Sequence, residues 1–238
     1  MGKIQIVGII DDSFSFGNTV LSSKSVILEN IVDNMNILNQ FLFCLPIILL
    51  ILIPFILKQK KYGMFNREYR EKAQREFIKK NNLDTVGKQV IFVMKRYILI
   101  VFLFLFLFYF IVTPIHELIH AVTGALFGAE MKVGFIPQML VTVAITGTPL
   151  SKLQYLLILC MPVILIGIIP AVIVLIKFPK KIKNATKVSI LIIFFLAIIV
   201  SAGADLISIY NMIKQVPNGA MMQQTDNGMY WYMPENNN

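Results

Sequence analysis

His116, Glu117 and His120 stand in Thr113-Pro114-Ile115-His116-Glu117-Leu118-Ile119-His120-Ala121-Val122, at the end of an apolar run that starts at Tyr97. They include both histidines of the chain, four residues apart. On a helix, residues one turn apart project from the same face. Two imidazoles so placed reach a single metal ion at zinc distances of about 2.0–2.1 Å. Glu117 lies about 100° further round the helix. That is too far for an equal ligand, but close enough to reach a water molecule on the metal. Hydrolysis by zinc needs this division of labour. The metal polarises a carbonyl and acidifies water, and the glutamate takes the proton and hands it to the leaving amine.

Asp205 completes the set. Four apolar stretches, near 41–57, 97–126, 153–177 and 188–212, contain only two acidic side chains, Glu117 and Asp205, and apart from Lys177 at the very end of the third they hold no other formal charge. A charge at the centre of a membrane helix costs about 2.5–3.5 kcal/mol on the insertion scale, so it is seldom kept without a use. One use is a polar contact between helices. Depth favours another. His116 is 19 residues past Tyr97, and Asp205 is 17 past Val188. Those are about 28 and 26 Å along helices rising 1.5 Å per residue. Both stretches start after lysine or arginine, hence at the same face. The spacing predicts that Asp205 meets the histidines as third ligand, with a fourth position left for water. Pro114 removes a helical hydrogen bond and predicts a kink just before the motif. Ser201, Ala202, Gly203 and Ala204 are small and permit close helix approach beside Asp205. Iron or cobalt would suit the same ligands as zinc.

The elements that position these groups follow from composition. The chain is 57% hydrophobic, with a mean hydropathy of +0.73. This predicts an all-α polytopic membrane protein with about four transmembrane helices, multi-pass in the bilayer. Twelve Lys and Arg against four acids fall in 58–96, and five against none in 177–187. The positive-inside rule makes those loops cytoplasmic and places both termini and 127–152 opposite. The formal charge of +9 then needs no nucleic acid partner. The predicted order is an N-terminal extracytoplasmic segment at 1–40, a first span at 41–57 and a basic loop at 58–96. A core at 97–214 and a polar tail at 215–238 follow.

Within the loop, Arg67/Glu71, Glu68/Lys72 and Glu71/Arg75 have helical i,i+4 spacing. Its basic face suits a solvated connector or anionic headgroups. Residues 128–152 read equally as an interfacial loop or a short β-hairpin. In the hairpin, 132–136 would pair with the alternating run 141–146 and offer an edge for an extended peptide. Cys44 and Cys160 fall in separate apolar stretches and read as packing residues. The cluster Tyr230-Trp231-Tyr232 favours a membrane–water interface.

Three segments, TPIHELIHAVTGALFGAEMKVGF, LSKLQYLLILCMPVILI and SAGADLISIYNMIKQVP, resemble in order the bacterial membrane proteins described as putative zincin peptidases. The resemblance covers roughly 95–235. In outline the chain is also similar to the site-2 intramembrane metalloproteases. The resemblance implies His116, His120 and Asp205 as zinc ligands, Glu117 as catalytic glutamate, and a location in the bacterial cytoplasmic membrane. Site-2 proteases carry an Asn-Pro-Asp-Gly-like sequence where this chain has Gly203-Ala204-Asp205-Leu206.

These readings predict a membrane zinc metalloprotease acting on a peptide or membrane-protein substrate within or near the bilayer. The alternatives are a non-catalytic metal-binding membrane protein, a small transporter or accessory factor, and an ion pathway built on Glu117 and Asp205.

Overall fold

The apolar run that carries both histidines folds as one long helical rod. Helix α1 spans Ile37–Tyr62 and contains Pro46 and Pro54. Helix α2, Arg67–Lys80, is polar and exposed, and it carries the expected Arg67–Glu71 ion pair at 2.9 Å. Helix α3, Val86–Leu107, continues through a π-helical turn at Phe108–Val112 into α4, Thr113–Leu126. Together they form a 41-residue helix, Val86–Leu126. Among the described residues it is the one helix long and apolar enough, by length and composition, to cross a membrane. The molecule is a computed structural model that describes residues 2–9, 26–29, 37–62, 67–136, 141–177, 202–225 and 228–234.

Helix α4 ends in a left-handed reversal. Gly128 has φ of +90°, and its N–H donates to Ala125 O at 3.1 Å. Ala129 N–H donates to Gly124 O, also at 3.1 Å. These two bonds satisfy carbonyls the helix leaves open, and only glycine takes that φ without penalty. Helix α5, Lys152–Pro162, starts with a capping box. The Ser151 hydroxyl accepts from Gln154 N–H at 3.3 Å, and Gln154 Oε1 accepts from Ser151 N–H at 2.8 Å. A second π-helical turn, Val163–Ile168, leads into α6, Ile169–Lys177. Helix α7 is Gly203–Gln215.

Two sheets complete the structure. In the first, β1 (Ile4–Ile9), β3 (Met131–Ile136) and β4 (Val141–Ile145) lie in the order β1-β3-β4. β1 runs parallel to β3, with Ile4 opposite Met131. β3 and β4 are antiparallel, with Val133 opposite Ala144. The second sheet has the order β2-β7-β6-β5 and is antiparallel throughout. Its strands are β2 (Val26–Ile27), β5 (Leu150–Ser151), β6 (Met221–Thr225) and β7 (Gly228–Tyr232). Ala121 and Ala125 of α4, Met131, Tyr155, Ile158 and Met212 pack with the sheets into one buried cluster beneath the motif helix.

The all-α polytopic fold with about four transmembrane helices is thereby corrected. The protein is mixed α/β, with seven strands in two sheets among the described residues, and the multi-pass placement is not supported. Hydropathy finds segments that avoid water, but it is blind to strand pairing. The strands come from stretches that look like loops and tails, and β1 finds its partner more than a hundred residues downstream. The hairpin, one of two readings of 128–152, is present in β3 and β4. Residues 10–25, 137–140, most of the second basic loop, and 188–201 with Ser201 lie outside the described residues.

Candidate metal centre

Helix α4 has two unlike faces. His116, His120, Ala121 and Gly124 are buried, whereas Ile115, Leu118, Val122 and Leu126 are exposed. Polar chemistry therefore points into the protein, and the greasy stripe points out. Helix α7 brings Asp205 to the inner face from its first turn. It does so by passing very close to α1. A Cβ on Gly203 would stand 2.7 Å from Gln40 Cβ and 3.1 Å from the Gln40 carbonyl oxygen. Only hydrogen fits there, which is the close approach that the small residues around Asp205 predict.

The three side chains converge. Asp205 Oδ2 lies 2.9 Å from His116 Nε2 and 3.3 Å from His120 Nε2. The two Nε2 atoms are 3.1 Å apart, with ring centroids at 4.8 Å and ring planes at 80°. Both histidines are buried, and the Asp205 side chain is 13% exposed. His120 Nδ1 lies 2.8 Å from the carbonyl oxygen of Ile158. A carbonyl only accepts, so this contact places the proton on Nδ1. His120 Nε2 then presents a lone pair to the centre. A carboxylate oxygen and an imidazole lone pair thus face one another in a buried place, beside a second imidazole. His116 Nδ1 is buried and has no hydrogen-bond partner.

This donor set fits a divalent cation. Tetrahedral ligands at zinc distances of about 2.0–2.1 Å stand roughly 3.3 Å apart. The three atoms already hold that spacing or slightly less. Two nitrogens and one carboxylate oxygen match the donor types zinc accepts. A carbonyl holding the far nitrogen of a ligating histidine is the usual outer support.

Glu117 stands beside the histidines and is held from the β4 side. Its Oε2 accepts from Ala144 N–H at 2.8 Å, so the backbone of β4 holds the carboxylate. β4 is the outer strand of its sheet. The candidate ligand atoms of His116, Glu117 and His120 all lie within 4.8 Å of one another. Before Pro114 the helix is irregular, with the π-helical turn immediately before α4. There the Thr113 hydroxyl donates to Phe108 O at 2.9 Å.

Sequence reasoning singled out His116, Glu117, His120 and Asp205, and the structure brings them together. It missed the Ile158 carbonyl and the Ala144 N–H, because backbone groups leave no mark on residue type. Pro162, four residues after Ile158, was the one available signal.

Residues 109–221 match the model of a family described as putative zincin peptidase. The resemblance to putative zincin peptidases is borne out over that segment, which contains the HExxH motif of a zinc metallopeptidase. No curated protein and no solved structure matches the chain.

Proposed function

We propose that this protein is a zinc-dependent peptidase that enters the membrane through Val86–Leu126 and cuts peptide bonds within or near the bilayer. The observation that carries the reading is the convergence of His116 Nε2, His120 Nε2 and Asp205 Oδ2 within 3.3 Å. The membrane part rests on Ile98, Leu99, Phe102, Phe106 and Phe110, which are exposed along the rod. A helix with so much apolar surface outside needs lipid or a partner to cover it.

His116, His120 and Asp205 would hold the metal. Zinc, when bound, polarises the scissile carbonyl and lowers the pKa of water. The Ile158 carbonyl orients His120. Glu117 sits one residue after His116, takes the proton from the attacking water and passes it to the leaving nitrogen. Ala144 N–H keeps the Glu117 carboxylate on the side of the β4 edge. Backbone direction alternates along a strand, so Thr142 faces the same edge as Ala144. An extended peptide pairing there, by strand addition, lies alongside Glu117.

The test is Glu117→Gln in purified protein, assayed against a quenched-fluorescent peptide library. Zinc content should stay at the wild-type level. Cleavage should fall by about 10²–10⁴-fold, the range for loss of a general base. Cleavage at the wild-type rate by the zinc-loaded variant would remove Glu117 from the mechanism. A wild type that holds zinc and cleaves nothing would favour a non-catalytic metal binder.

A further inference from the structure

We propose that Pro162 is a positioning residue of the metal centre. By withholding a backbone N–H, it keeps the Ile158 carbonyl open for His120. The inference rests on the zinc reading above and adds to it a residue outside the motif.

In an α-helix, the carbonyl of residue 158 takes its hydrogen bond from the N–H of residue 162. Here residue 162 is proline, inside α5, and it has no N–H to give. The next donor does not replace it, because Val163 N–H goes to Cys160 O. The helix then continues as the π-helical turn Val163–Ile168, so the irregularity starts at Pro162. The carbonyl left without its helical donor is the one that receives His120 Nδ1 at 2.8 Å. Pro162 is itself fully buried, and Ile158 belongs to the core under α4. A missing hydrogen bond in one helix thus becomes the anchor for a ligand on another. π-helical turns inside α-helices often occur at functional sites, and this one has an assignable cause.

Pro162→Ala supplies the missing N–H. It draws the Ile158 carbonyl back along the axis of α5 and competes with His120. The helix gains a bond while the histidine loses its hold. A merely structural proline gives a different pattern, in which stability changes and metal affinity does not.

The experiment measures zinc affinity by chelator competition, together with the melting temperature of the metal-free protein. It compares wild type, Pro162→Ala, and a variant with ester-linked lactic acid at position 162. The ester lacks the N–H, like proline, and lacks the ring, like alanine. The expected result is zinc affinity weaker by on the order of 10–100-fold in Pro162→Ala, the range for losing a ligand's outer partner. The ester variant should bind like wild type, and metal-free Pro162→Ala should melt no lower. Wild-type affinity in Pro162→Ala overturns the proposal. So does equal weakening in the ester variant, since the ring and not the absent donor would then matter. If Pro162→Ala fails to fold, the ester variant alone decides by keeping or losing wild-type affinity. A wild type that binds no zinc would be a failure of the functional reading itself, and is distinct from these results.

Discussion

At the scale of single residues, the centre is a question of which atoms carry protons. His120 has its proton on Nδ1, toward Ile158 O. Asp205 Oδ2 and His120 Nε2 are left to face each other 3.3 Å apart. Asp205→Asn keeps the shape and replaces an acceptor by a donor. We predict zinc affinity weakened by more than about 100-fold, beyond the range for outer partners. The metal-free variant should melt no lower than wild type, because the new amide N–H has a lone pair to meet. Chelator competition and a thermal melt check both. These residues were legible in the sequence for a physical reason. Charges and imidazoles are costly in apolar stretches, so the few present stand out. Ile158 and Ala144 were not legible, since their contribution is a carbonyl and an N–H that almost every residue has.

Helices and strands set the distances between those atoms. Asp205 arrives two residues after Gly203, where α7 meets α1 with no room for a methyl group. Gly203→Ala should lower stability by about 1–3 kcal/mol, as overpacking does, and weaken zinc binding because Asp205 moves with its helix. An unchanged melt and unchanged zinc affinity would mean that the close approach is not needed. Ser151→Ala makes the opposite case. It removes the cap of α5 and should cost about 1 kcal/mol. Zinc affinity should hold, since His120 leans on Ile158, two turns further along. The capping pair Ser151 and Gln154 is readable from spacing. The contact between Gly203 and Gln40 is only hinted at by small residues, because the sequence does not say which neighbour comes close.

For the whole molecule, the sheets changed the picture most. β1 joins β3 in parallel across more than a hundred residues, and β6 and β7 form a hairpin from what reads as a polar tail. Local hydropathy holds no trace of a partner so distant, whereas β3 and β4 stand close enough in sequence for their pairing to suggest itself. If zinc binds only the folded state, it must stabilise that state. At a free concentration 100 times its Kd, the gain is about 2.7 kcal/mol. The melt of wild type should rise on adding zinc and fall back with chelator, and His116→Ala should show neither change. In cells, the exposed apolar rod Val86–Leu126 should keep the protein in the membrane fraction through alkaline extraction. Release into the soluble fraction would contradict a membrane role for that helix.

The most direct measurement is metal content by mass spectrometry on purified protein, with wild type beside His116→Ala and Asp205→Ala. The account predicts about one zinc per chain in wild type and its loss in both variants. No metal in a well-folded wild type, or zinc retained in Asp205→Ala, would contradict a centre built from these three side chains.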